Sequence, residues 1–296
     1  MSDLAVEFEK CRRRLFGLAY RMLGSAADAE DIVQETFLRA REISADELRS
    51  PEAFFVTIAT RLCLDELKSA KKKRETYVGP WLPEPIEDVE GLSPETAMEY
   101  ADDLSFALLM TLEKLSPPER AAFLLHDVFD APFPEIAKAL GKSESACRQL
   151  ASRARRTVRE GRPAREVPRA SHAALLQKFA EAIASGDAKN LAALLAADAI
   201  AWSDGGGVKR SALNPIIGAD KIARFFTGLA AKAARRGPMP SFQIKDINGA
   251  PAFLVFAGED LDQTLSIETD GARITVLYLV RNPQKLRRLK SAAAGA

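Results

Sequence analysis

At 296 residues the chain exceeds the usual size of one domain, so two or three domains are expected, and with 47% hydrophobic residues each can build its own core. The net charge of +1 neither requires nor excludes nucleic acid, so the distribution of charge has to decide. Three scattered cysteines (Cys11, Cys63, Cys147) and two histidines (His126, His172) speak against a metal centre and for buried thiols in a reducing cytoplasm; no long uncharged apolar run and no signal peptide after Met1 is visible.

In chain order, Leu4, Phe8, Cys11, Leu15, Leu18 and Met22 recur at intervals of three and four, which predicts one amphipathic helix ending at Gly24. Ser25 is placed to cap the next helix, with Asp28 three residues on. Ser50-Pro51 reads as a cap followed by proline at the first helical position, and Phe54, Phe55, Ile58, Leu62 and Leu67 continue as a core face. Between Arg61 and Arg74 stand six cations against two acids. Residues 77–91 carry Pro80, Pro83 and Pro85 and read as an extended linker. Eight acids and no cation follow between Glu84 and Asp103.

A second helical module is expected from about Pro94 to Gly161. At its centre a short helix ends at Gly141, and Ser143 caps a helix rich in arginine, which is the helix-turn-helix pattern. Nine cations against two acids lie between Lys138 and Arg165. Two basic patches joined by an acidic tether suggest two nucleic-acid modules, although charge alone is equally compatible with solvated helix faces.

Arg162-Pro163 and Val167-Pro168 mark a second boundary. Beyond it we expect helices over residues 170–185 and 187–195, a strand ending at Trp202, and a helix over 219–236. Strands at 241–247, 252–257, 263–268 and 273–280 should form antiparallel hairpins through turns such as Asn248-Gly249 and Asp270-Gly271. Helices first and strands later describe an α+β domain.

Asp28-Ala29-Glu30-Asp31-Ile32-Val33-Gln34-Glu35-Thr36-Phe37 is similar to the region 2 helix by which the extracytoplasmic-function (ECF) sigma factors of bacterial RNA polymerase meet core polymerase, and this resemblance implies Asp28, Asp31, Gln34 and Glu35 as polymerase-binding residues. The segment from Ile58 to Arg74 resembles the part of region 2 that captures the −10 element. It implies DNA contacts at Arg61, Asp65, Lys68, Lys71, Lys72, Lys73 and Arg74, with a base pocket in residues 43–49. Many family members have asparagine where this chain has Arg61. Leu115-Ser116-Pro117-Pro118-Glu119-Arg120 and the helix-turn-helix match region 4, the −35 reader. Ser145, Arg148 and Gln149 would reach base edges near the start of the recognition helix, with Ser143 also on the DNA-binding side, and Arg153, Arg155 and Arg156 would hold phosphates.

The segment Trp81-Leu82-Pro83-Glu84-Pro85 narrows the resemblance to the SigJ-like group with a SnoaL-like cone domain at the C-terminus. Asp204-Gly205-Gly206-Gly207 and Asn282-Pro283-Gln284-Lys285-Leu286 resemble two further signatures of that group. The fold class implied is multi-domain: all-α region 2 (1–75), a linker (76–100), an all-α region 4 helix-turn-helix (101–163), then an α+β SnoaL-like domain (169–290). The function implied is that of a cytoplasmic, promoter-specific initiation factor with core RNA polymerase and promoter DNA as partners, no cofactor, no metal and no membrane.

The fused domain would regulate through an intramolecular contact of Trp81, Leu82 and Pro83 with Asp204, Gly205, Gly206, Gly207, Asn282 and Pro283. An unidentified small ligand of that domain is left open. The alternative, a SnoaL-like cyclase or isomerase fused to a DNA-binding module, rests on Asp204 alone, which a turn-forming Asp-Gly explains as well.

Overall fold

The computed structural model describes residues 3–41, 43, 48, 50–87, 104–161, 167–235 and 240–289, with residues 70–75 described by backbone only. It divides into two units: Met1–Glu75 with Val89–Arg162, and Thr76–Asp88 with Pro163–Ala296.

The first unit is helical. α1 (Asp3–Leu23) buries the whole predicted stripe, Leu4, Phe8, Cys11, Leu15, Leu18 and Met22. Gly24 then takes the left-handed conformation that ends it. The Ser25 hydroxyl accepts the Asp28 amide at 3.2 Å and starts α2 (Ala26–Ala40). Pro51 opens α3 (Pro51–Glu75), where Phe55 is fully buried edge-on to Phe8 while Phe54 stays half-buried. Each large apolar side chain so enclosed contributes about 1.5–3 kcal/mol.

After α4 (Phe106–Leu112), a capping box of Ser116 and Glu119 starts α5 (Pro117–Phe123), and a π-turn follows at Leu124–Val128. The helix-turn-helix consists of α6 (Phe133–Leu140) and α7 (Glu144–Gly161), with Gly141 left-handed between them and the Ser143 hydroxyl accepting from the Ala146 amide.

The second unit is α+β. α8 (Arg169–Ser185), α9 (Ala188–Ala193) and α10 (Ala219–Ala234) accompany a six-stranded sheet of order β2-β1-β6-β5-β4-β3. Its strands are β1 (Leu195–Asp204), β2 (Ile216–Ile217), β3 (Ser241–Ile247), β4 (Ala250–Ala257), β5 (Asp260–Thr269) and β6 (Ile274–Val280). One sheet face supplies Ala201, Phe253, Leu265, Ile267 and Leu277 to a core closed by Leu176, Phe179, Ile222 and Phe226.

The later strands form the expected antiparallel ladder, but two expectations need correction and one short strand was not foreseen. The helix expected to run to residue 195 stops at Ala193, because Leu195 enters strand register beside Ile274. β1 continues past Trp202 to Asp204 and lies parallel to β6, so the sheet is mixed. The two-residue β2, too short for any periodic signal, borders β1. Among the described residues no helix is long and apolar enough to cross a membrane, and no cluster of side chains could hold a metal ion.

Candidate functional site

On α2, burial of Ala29, Ile32, Val33 and Thr36 turns the opposite face outward. Asp31 and Gln34 are exposed there, flanked by the partly exposed Asp28 and Glu35. Glu35 pairs with Arg39 at 2.7 Å, a contact that water screens and that leaves the acid available. The face is an acidic stripe on a rigid helix.

On α3, Asp65 and Lys68 are exposed and pair at 2.8 Å. Lys71, Lys72, Lys73 and Arg74 continue the same helix, with side chains outside the described residues, and most of residues 43–49 lie outside them too. Arg61 is exposed yet engaged. Its guanidinium donates to the Lys138 carbonyl at 2.8 Å and to the Ala139 carbonyl at 3.3 Å, both at the end of α6.

On α7, Cys147, Leu150, Ala151, Ala154 and Val158 face the core. Ser143, Ser145, Arg148, Gln149, Arg153 and Arg156 are exposed on the other side. Arg148 lies 4.4 Å from the Phe133 ring centre and pairs with Glu144, so its guanidinium is oriented before any ligand arrives. Arg153 pairs with Glu119 at 2.9 Å and Arg155, half-buried, with Asp127 at 2.5 Å. Arg155 thus holds α7 to the π-turn that precedes the helix-turn-helix.

The second unit concentrates its polar chemistry at Asp204, the last residue of β1, which is fully buried. Its carboxylate accepts from the Tyr77 hydroxyl at 2.6 Å, the Leu82 amide at 2.9 Å, the Gly206 amide at 3.0 Å and the Lys285 ammonium at 2.7 Å. Lys285 also donates to the Leu82 carbonyl, and its ammonium lies 4.2 Å from the Trp81 ring centre and 5.1 Å from that of Tyr77. Asn282 donates to the Tyr77 hydroxyl at 2.8 Å. Burial, then the hydrogen bond and charge of Asp204, push the Tyr77 phenol well above its ordinary value. At the far end of the linker the Ile86 amide donates to the Asn248 side chain and Glu87 pairs with Lys245. The stretch between these two anchors, Leu82 to Ile86, is buried.

The glycines of the Asp204 loop have a steric reason. A Cβ on Gly205 would fall 2.1 Å from the Lys209 carbonyl oxygen, and one on Gly206 would fall 2.3 Å from the Asn282 amide nitrogen. A side chain at Gly206 would displace Asn282, which meets Tyr77, and one at Gly205 would push aside the loop at Lys209. Trp81, Leu82, Asp204, Gly206 and Asn282 are therefore in one constellation, with Pro83 buried next to it, Gly205 buried, and Gly207 and Pro283 more exposed at its border. Sequence reasoning missed Tyr77, Lys285 and Asn248. Tyr77 is an aromatic between a basic run and Pro80, and Lys285 falls inside a quoted motif, so both left a signal. Asn248 looked like a plain turn residue. The Asp204 carboxylate is enclosed by its partners Tyr77, Leu82, Gly206 and Lys285.

Comparison with known proteins places these features in a family. Residues 8–73 match the model for Sigma-70 region 2, and residues 105–158 match that for Sigma-70, region 4. The chain is 42% identical over 291 residues to the ECF RNA polymerase sigma factor SigJ of Mycobacterium tuberculosis, covering 94% of this chain and 92% of that one. It is 31% identical to the probable ECF RNA polymerase sigma factor SigI of the same species, covering 96% and 95%. The crystal structure of Mycobacterium tuberculosis SigJ superimposes with a TM-score of 0.75 at 33% identity, covering 95% of this chain and 98% of that chain. With region 2, region 4 and the additional α+β domain all accounted for in such relatives, the chain belongs to the ECF sigma factors, the non-enzymatic subunits with which RNA polymerase initiates transcription.

Proposed function

We propose that this sigma factor binds core polymerase through Asp28, Asp31, Gln34 and Glu35, and captures the −10 element with α3 and residues 43–49. It reads the −35 element with the exposed start of α7. Arg148 and Gln149 reach base edges there, beside Ser143 and Ser145. Arg153 and Arg156 hold phosphates, with Arg155 bracing the helix behind them. The acidic stripe, the basic end of α3 and the free outer face of α7 support this assignment. A partner of this kind places the protein in the cytoplasm.

We further infer that the α+β domain, a SnoaL-like cone by the resemblance of its sequence segments, is a built-in regulator. The observation that carries this is the dock at Asp204. Residues 76–88 are the chain that leads from region 2 towards region 4, and they are bound by Asp204, Asn282, Lys285 and Asn248. A docked linker withdraws that stretch from the freely moving tether, so the domain controls how region 4 is presented relative to region 2. A small ligand acting on this domain would be a second input. An open groove lined by Arg169, Ala173, Ile244 and Pro251 is one place in the second unit to look for it.

Run-off transcription with purified core polymerase tests the regulator. Full-length chain is compared with Asp204→Asn, Trp81→Ala and a chain stopped at residue 167. We expect transcript yield to change severalfold while core binding persists. Equal yields from all four would remove the regulatory role.

A further inference from the structure

Two arginines of region 2 hold the segment that carries the first helix of the helix-turn-helix, one at the turn ahead of it and one at its end, within the same unit. Arg14 of α1 donates to the carbonyl of Phe129, just ahead of α6, and its guanidinium lies 5.4 Å from the Phe129 ring centre. Arg61 of α3 donates to the carbonyls of Lys138 and Ala139 in the last turn of α6. Carbonyls in a last turn lack intrahelical partners and carry the negative end of the helix dipole, so a guanidinium fork there satisfies two acceptors at once. A third contact runs the opposite way, from Arg120 of α5 to the carbonyl of Met22 at the end of α1.

We propose that Arg14 and Arg61 form a latch that closes the −10-reading helix against the −35-reading module in the free protein. This latch must open before both elements are read. The inference rests on the promoter-reading assignment above.

Distance is the argument. Elements named −10 and −35 lie about 25 base pairs apart, about 85 Å along B-form DNA at about 3.4 Å per pair. From Ala139 to Arg148 the chain reaches at most about 32 Å even if fully extended. An arginine side chain adds about 7 Å, so the closed form keeps Arg61 within about 40 Å of the recognition helix. That is half of what the promoter demands.

The latch is suited to release. Arg61 is exposed, and its acceptors are neutral carbonyls that DNA phosphates outcompete as partners for a guanidinium. One arginine therefore serves the closed state through α6 and the open state through the promoter. Asparagine at this position has neither the reach nor the five-donor fork to do the first.

The test measures separation in the full-length chain, with spin labels on unnatural amino acids at the exposed positions 10 and 142. The parent should give one short distance, and adding core polymerase should convert it to a long one. Arg14→Gln and Arg61→Gln should each raise the open-to-closed ratio about tenfold, as expected for losing one or two charged hydrogen bonds, with the double variant further open.

Arg14→Gln separates the latch from DNA reading, because Arg14 has no part in the promoter contacts. It should speed association with core polymerase by a similar factor and leave the affinity of the assembled holoenzyme for promoter DNA unchanged. Should a glutamine variant fail to fold, as judged by its thermal melt, Arg14→Lys and Arg61→Lys replace it. These keep the charge and lose the fork, and should open the chain to a smaller extent. An unchanged short distance in all folded variants would overturn the latch. Failure of the promoter-reading assignment would show only in the DNA-binding arm, leaving the distances as they are.

Discussion

The two units join their distant segments by opposite chemistry. In the first, cations reach for main-chain oxygen: Arg14 for Phe129, Arg61 for Lys138 and Ala139, Arg120 for Met22. In the second, a single buried anion collects donors from the linker, from its own loop and from Lys285. The first arrangement spreads its strength over several contacts, those of Arg14 and Arg61 partly open to water and that of Arg120 buried. The second concentrates it in one group with no water to fall back on, so it holds or fails as a whole. A moving part and a switch point call for these two designs respectively.

The comparison breaks most sharply at Asp204. Asp204→Ala removes the buried carboxylate that accepts from the Tyr77 hydroxyl and neutralises the Lys285 ammonium, leaving Lys285 with the Leu82 carbonyl, and should cost about 3–5 kcal/mol in denaturant unfolding of the second unit. Limited proteolysis should then cut within residues 76–88, and a linker that stays protected would show that Asp204 is not its anchor.

Arg120→Ala should cost less, about 2–3 kcal/mol, because Glu113, its other partner, keeps some access to water and only the Met22 carbonyl is stranded. A loss as large as that at Asp204 would erase the contrast between the two units. Trp81→Ala should cost about 1–2 kcal/mol through its lost ring face over Lys285 and lost burial, read as a drop in the melting temperature.

The smallest effect is Tyr77→Phe, about 1 kcal/mol at neutral pH for one hydrogen-bonding hydroxyl. Its pH dependence sharpens the picture. The folded state holds the Tyr77 phenol neutral above its ordinary value of 10.0, so its contribution is complete below about pH 10 and is lost as pH rises towards the folded value. The parent should therefore lose stability above pH 10 more steeply than Tyr77→Phe. Parallel curves would mean that the hydroxyl is not enclosed with Asp204. Tyr278, also raised by burial, titrates in both proteins and cancels from the difference.

Legibility in the sequence followed the range of the interaction. The stripe from Leu4 to Met22, the Ser25 and Ser143 caps, the Gly141 turn and the later hairpins are encoded within a few residues, and each was read where it stands. The parallel pairing of β1 with β6 was not, since a strand's periodicity carries no information about its partner's direction. Trp81, sitting between prolines with no local core, signalled that the linker meets something folded. That Tyr77 would share Asp204 with Lys285 left no such mark, because the residues come from three separate stretches. The arginine contacts of the first unit were wholly hidden. Their acceptors are carbonyls, which every residue has, so no motif can announce them.

The dock at Asp204 also sets a timetable. Tyr77 is made 127 residues before Asp204 and 205 before Asn282. At about 5–20 residues per second, on the order of 10–40 s of synthesis separate the linker from the last of these partners. Regions 2 and 4 are complete well inside that interval, as is the latch that joins them. On the ribosome the protein thus passes through a stage with its promoter-reading parts finished and its linker unclaimed, when the arginine latch is the restraint already in place.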